Sequence, residues 1–274
     1  MKILIKLLPA VSLIIFLYGC SAGLEMTSGW KENTVKIDGN SEEWAGSLKQ
    51  IPDKNLAVGF RNDNEFLYVC LVINDPSKLM AMMRGGFVVW FEPENSENTF
   101  GIKYPIPNLF AGKEQMPMTD KSHDREKIQE RIAKDFDKQK EMVIINSDKY
   151  PLGQFPVSNN KEGINAKIGF EGEGRFVYEL QVPLAAENNF VYKIDSRAGE
   201  KLNVRFETGE MERSKFGDDK GGMMRPGGGG GEMPPGGGGQ MPGGRGTRGS
   251  MPGTRSIEDS SINFSVELLL TGSN

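Results

Sequence analysis

The strongest constraint on this fold is a series of short runs whose apolar residues recur at every second position. INAKIGF (164–170) places Ile164, Ala166, Ile168 and Phe170 on one side, and RFVYELQV (175–182) does the same with Phe176, Tyr178, Leu180 and Val182. KLNVRFE (201–207) aligns Leu202, Val204 and Phe206. A period of two with polar residues between is the mark of a half-buried strand in an antiparallel sheet. TVKI (34–37), LAVGF (56–60) and TFGIKY (99–104) are further strand candidates, most of them bounded by Gly, Asn, Asp or Pro. EFLYVCLVI (65–73) and GFVVWFE (86–92) are apolar on both faces, so they belong in central strands covered on both sides. Many short strands separated by turn signals imply an antiparallel β-sandwich.

Two segments break the pattern. SHDREKIQERIAKDFDKQKEM (122–142) sets Ile128, Ile132 and Phe136 at a spacing of four, with Ser122 as a cap, acidic residues in the first turn and Lys138 and Lys140 at the end. This predicts one amphipathic helix, within an insertion spanning 105–150, laid over the exposed face of the two-sided strands. Residues 214–257 are rich in Gly, Met and Pro and cannot bury a core. Yet SINFSVELLL (261–270) follows, with Ile262, Phe264, Val266, Leu268 and Leu270 in one row. Burying that row contributes on the order of 7–15 kcal/mol, whereas closing a loop of about forty residues rather than five costs only about 2 kcal/mol more. The tract is therefore expected to be a disordered loop between the last two strands of a single domain covering 34–274. Its methionines could offer thioethers to Cu(I), but no His accompanies them and their spacing is irregular.

The N-terminus carries a different message. Lys2 and Lys6 precede an almost wholly apolar stretch at 7–17, and Leu17-Tyr18-Gly19-Cys20 follows. This is the order of a secretory signal (1–19), with an apolar core too short for a comfortable membrane span. The final four residues resemble the lipobox of bacterial lipoproteins, with Tyr18 a departure from its usual small or aliphatic residue. The resemblance implies acylation of Cys20, a palmitate-type anchor in the bacterial cell envelope, and a polar tether over 20–33. The chain is mildly acidic, with a formal net charge of −4, and has no basic footprint for nucleic acid. With Cys20 acylated, Cys70 is left without a partner for an internal disulfide and reads as a small buried hydrophobe. His123 is the only histidine. No acid or base is singled out for catalysis, so an enzyme is not expected.

Several motifs carry a family resemblance. Ile37-Asp38-Gly39 followed by Glu43-Trp44, then Asn62-Asp63-Asn64-Glu65-Phe66-Leu67-Tyr68-Val69 with Asp75 beyond, and finally Tyr178-Glu179-Leu180-Gln181-Val182-Pro183-Leu184 occur in the order seen in family-nine-like carbohydrate-binding modules. Those modules are the sugar-binding branch of the DOMON-like, jelly-roll-type sandwiches. GGFVVWFEP (85–93) and FGIKYP (100–105), with the late glycine insert, also look like a group of bacterial lipoproteins of no agreed activity. The module resemblance implies a glycan ligand stacked on aromatic rings, for which Trp44, Trp90, Tyr104, Phe110, Tyr150 and Phe155 are the candidates. It also implies a structural calcium ion, which Asp38 and Asp75 could touch. The rival readings are an envelope interaction or assembly protein on the same fold, with an unknown protein partner, and a metal- or haem-binding module.

Overall fold

The computed structural model describes residues 24–31, 35–107, 125–184, 190–209 and 260–273, with the side chains of 125–131 and 173 left aside. Two sheets face each other across one core. The larger joins, in spatial order, β1 (Leu24–Thr27), β13 (Asn263–Leu269), β12 (Lys201–Thr208), β6 (Phe87–Pro93), β7 (Phe100–Lys103), β8 (Glu141–Asn146) and β9 (Pro151–Pro156). The smaller joins β10 (Asn165–Glu171), β11 (Arg175–Pro183), β5 (Phe66–Ile73), β4 (Leu56–Asn62) and β2 (Gly29–Trp30), with β3 (Lys49–Ile51) also on β4. The β-sandwich expected from alternation is therefore present. Its inward rows are the expected ones: Ala166 and Ile168; Phe176, Tyr178, Leu180 and Val182; Leu202, Val204 and Phe206.

The last ribbon lies between β1 and β12, with Val204 opposite Val266 and Leu202 opposite Leu268. Ile262, Val266, Leu268 and Leu270 are all buried, and Phe264 packs partly against the core. Strands β12 and β13 are neighbours, so the glycine-rich tract joins adjacent strands; the tract itself lies outside the described residues.

The interior explains the two-sided strands. On β5, Leu67, Val69, Leu71 and Ile73 enter the main core, while Tyr68, Cys70 and Val72 join Val35, Trp44, Ala57 and Val177 on the outer face. Residues 35–48 supply the cover there. Val35 to Ile37 form no strand, contrary to the sequence reading of 34–37, because their task is to lie across β4 and β5.

Three further expectations need correction. The helix α2 (Arg125–Lys138) does not cover the larger sheet. It packs on β10, where Phe136 meets Phe170 at 6.2 Å and Phe176 at 5.5 Å, and Ile132 and Phe136 enter the main core. The inner face at that edge was the larger apolar debt, since β10 has no strand beyond it. The 105–150 insertion also contains a strand, β8, whose Met142 and Ile144 are buried. A second helix, α1 (Pro76–Gly85), fills the end between β5 and β6 with Leu79, Met82 and Met83. Its start was written in the sequence, with Asp75 as cap and Pro76 in the first turn.

The third correction concerns the tether. Residues 24–30 are strands, not a free leash. β1 pairs in parallel with β13, and β2 pairs in parallel with β4, so this segment crosses from one sheet to the other. Ser28 marks the crossing. Its hydroxyl donates to Asn62 Oδ1 at 2.5 Å, while Asn62 Nδ2 donates to the Thr271 carbonyl at 2.9 Å and Thr271 Oγ1 to the Ser28 carbonyl at 2.9 Å. Polar groups satisfied in this way are what a buried crossover requires.

Candidate functional site

The motifs behind the family resemblance converge on one joint. Trp44 sits in a short helical turn at Glu42–Trp44 and is fully buried. Its indole N–H donates to Glu179 Oε1 at 2.7 Å, and the amides of Asp38 and Gly39 donate to Glu179 Oε2 at 2.9 and 2.6 Å. Burial pushes the Glu179 carboxyl above its ordinary value, against the pull of these three donors. The Asp38–Gly39 turn also needs glycine on both sides. Gly39 has φ +83°, and a Cβ on Gly169 would lie 2.0 Å from the Gly39 carbonyl oxygen. Further along, Asp63 accepts from the amides of Glu65 and Phe66 and from the Tyr68 hydroxyl at 2.7 Å. The Glu179 bonds fasten the covering segment to the smaller sheet, and the Asp63 bonds close the β4–β5 turn beside it. Trp44 consequently offers no ring to a ligand.

Trp90 is withheld as well. It points to the outer face of the larger sheet beside Val88, Ile145 and Val143, at 1 % exposure. The cover is not the helix but Arg205, whose guanidinium lies 4.9 Å from the ring centroid. The indole N–H donates to Glu207 at 3.0 Å, and Arg205 bonds both Glu92 and Glu207. Tyr104 is buried against Tyr178, its ring 6.3 Å away, so it too is a packing residue. Phe110, Cys20 and His123 lie outside the described residues.

The two remaining aromatic candidates share one neighbourhood. Tyr150 closes the turn between β8 and β9, held by Asn146, and is 68 % exposed. Phe155, on β9, is half-buried and meets Tyr192 edge-on at 5.6 Å. The Tyr192 hydroxyl donates to the Leu152 carbonyl at 3.3 Å, fastening the segment that carries Val191 to β9. Gly153 leaves room for this packing, since a Cβ there would lie 2.5 Å from the Phe155 ring. Leu152 and Val191 are exposed at 48 % and 71 %. Phe155 and Tyr192 pack partly against the core, while Tyr150, Leu152 and Val191 are exposed along this edge strand and the segment docked on it, the β9 ledge. Tyr192 and Val191 were not singled out from sequence, because nothing local in NNFVYKID says that this stretch folds back onto β9.

A second depression of about 510 Å³ opens beside the Trp44 joint, lined by Asn40, Ser41, Glu42, Leu48, Glu171 and Arg175. Glu171 accepts from the Ser41 amide and hydroxyl at 2.5 and 2.9 Å, and Arg175 approaches it at 3.4 Å. No ring lines it.

The aspartates offered for calcium are spent locally. Asp75 Oδ1 accepts from the Ser77 amide and hydroxyl at the start of α1, and Asp38 Oδ1 from the Asn40 amide. Among the described residues no three His, Cys, Asp or Glu side chains gather as metal ligands would. Cys70 is buried, and burial, with Glu179 and Glu171 adding to it, pushes its thiol well above the ordinary value. A thiol held neutral is not an activated nucleophile.

No protein-family model matches this chain, and no curated protein matches it. Solved structures similar to it include a carbohydrate-binding module of family 9 from Caldicellulosiruptor kristjanssonii in complex with glucose. That pair shares 11 % identity over 69 % of this chain and 80 % of the module, with a TM-score of 0.33. The same module in complex with cellotriose gives 10 % identity over 70 % and 78 %, with a TM-score of 0.32. The sandwich assignment rests on this chain's own two sheets.

Proposed function

We propose that this chain is a lipid-anchored, non-catalytic β-sandwich of the bacterial cell envelope that binds a glycan on the β9 ledge. One observation carries the reading: Tyr150, Leu152 and Val191, three of the four exposed large apolar side chains among the described residues, lie along this ledge. Side chains of this size left facing water, beside a rigid Phe155–Tyr192 pair, suit a ligand with an apolar face. A sugar ring presents such a C–H face to aromatic rings and offers hydroxyls to polar neighbours, here Asn146, Lys149 and Gln154. The depression beside Glu171 lacks a ring and is the poorer match. Anchoring is supported by the Lys2–Cys20 sequence. The resemblance of the Asp38–Gly39, Asp63–Val69 and Tyr178–Leu184 motifs supports the ligand class.

Calorimetry of the acylated protein in nanodiscs against plant, fungal and bacterial polysaccharides tests the ligand. Binding to at least one is expected, with Tyr150→Ala weakening it about ten-fold, or about 1.4 kcal/mol, at unchanged thermal stability. Silence with every polysaccharide, or binding indifferent to Tyr150→Ala, overturns glycan binding at the ledge. It would favour the rival reading, an envelope interaction or assembly protein on the same fold that meets a protein partner through the helical insertion.

A further inference from the structure

The ordered domain begins much closer to the anchor than a 20–33 tether would allow. Only residues 21–23 separate Cys20 from Leu24. The four Cα-to-Cα steps from Cys20 to Leu24 reach at most about 14 Å. Leu24 cannot move away from the body, because its strand is paired with β13 from Leu24–Val266 to Thr27–Leu269, and the chain is then locked at Ser28. Whatever holds Cys20 therefore holds one edge of the sandwich, the β1 edge of the larger sheet.

The ledge occupies the opposite edge. β1 is the first strand of that sheet and β9 the seventh. Six inter-strand spacings put them about 29 Å apart. The separation runs across the strands, not along them: by register Leu24 shares a row with Val266, Val204, Phe91, Phe100 and Asn146. Tyr150 follows Asn146 in the β8–β9 turn, at the far end of that row.

We infer that the β1 edge rests against the lipid headgroups, and that the domain is thereby oriented with its β9 edge turned away from the bilayer. This inference rests on the proposed acylation of Cys20. A leash long enough to allow free tumbling would leave the ledge facing the lipid part of the time. A connection of this length keeps the β1 edge within about 14 Å of the anchor and leaves tilting about that edge. The partner surface is a bilayer, and the orientation follows from the strand pairing of Leu24 rather than from a lipid-binding pocket.

The test uses the full acylated chain in nanodiscs carrying energy acceptors on the headgroups. A donor dye is placed at Glu25→Cys on β1 or at Asp148→Cys in the β8–β9 turn, both exposed positions; the buried Cys70 stays unlabelled. Transfer from position 25 is expected to exceed that from position 148 several-fold. Inserting twenty Gly and Ser residues after Ala22 should bring the two close together. Equal transfer from both positions in acylated, uninserted protein overturns the inference while leaving anchoring intact. Absence of an acyl chain on Cys20 by mass spectrometry overturns the anchoring and the inference with it.

Discussion

The outer faces of the two sheets carry the same group of four residues in different surroundings. On the smaller sheet, Trp44 lies over Gly59, where a Cβ would come within 3.2 Å of the ring. Its indole bonds Glu179, and Arg61 stands 5.2 Å from the ring centroid. On the larger sheet, Trp90 lies over Gly101, where a Cβ would come within 2.8 Å. Its indole bonds Glu207, and Arg205 stands at 4.9 Å. The carboxylates differ. Glu179 is wholly buried and answered by N–H donors alone. Glu207 keeps contact with solvent and is answered by two cations, Lys149 at 2.8 Å and Arg205 at 2.6 Å. Burial raises the pKa of the first. In the second, burial pushes upward but Lys149, Trp90 and Arg205 hold the carboxyl below its ordinary value. A tryptophan–glutamate pair is thus a joint in one place and a surface brace in the other, and the covering segment 35–48 makes the difference.

The sharpest way to break this comparison is to remove each carboxylate. Glu179→Ala leaves three N–H groups without an acceptor, those of Gly39 and Trp44 buried, and should cost about 3–5 kcal/mol. Glu207→Ala, with Lys149 and Arg205 able to turn to water, should cost about 1–2 kcal/mol. Chemical denaturation of both variants decides it, and equal losses would mean the two sites are energetically alike.

Removing only the indole N–H comes next. Trp44→Phe deprives a buried carboxylate of a donor, whereas Trp90→Phe leaves Glu207 with Lys149 and Arg205. The first should be destabilised by about 1–2 kcal/mol more than the second. Arg205→Ala is smaller still, about 1 kcal/mol from the lost ring contact and half-exposed ion pairs. High salt should diminish that loss.

The finest effect is in the sign of the pH dependence. A carboxyl whose folded pKa is raised lends stability that is complete below its unfolded value, 4.5, and drains away as pH rises through the folded pKa. One whose folded pKa is lowered lends stability that is complete above 4.5 and is lost as pH falls. Glu179→Gln should therefore flatten the decline of the unfolding midpoint on raising the pH, and Glu207→Gln its decline on acidification. Both variants flattening the acid limb would show that the donors around Glu179 outweigh its burial.

How much was legible beforehand varies with the range of the interaction. The rows Phe176–Val182 and Leu202–Phe206 read correctly because alternation is a local property of a strand against a core. The final ribbon read correctly because five apolar side chains outweigh the entropy of a long loop. α1 is not among the sequence expectations although Asp75-Pro76 announces a helix start, because the resemblance draws Asp75 toward a possible calcium contact instead. Trp44, Trp90 and Tyr104 were sensible ring candidates by type. Whether a ring is presented or covered depends on residues far away in the chain, such as Arg205 over Trp90. Phe155 gained its neighbour Tyr192 only through a fold-back at 190–192.

The sequence by itself determined the two-layer β architecture and the return of the last strand, because hydrophobic period and chain composition act within a few residues. Only the tertiary structure decided what covers each outer face, where α2 docks, and that residues 24–30 bridge both sheets instead of hanging free. Those outcomes depend on which apolar surfaces remain unpaired once the strands have assembled, and no single segment contains that information.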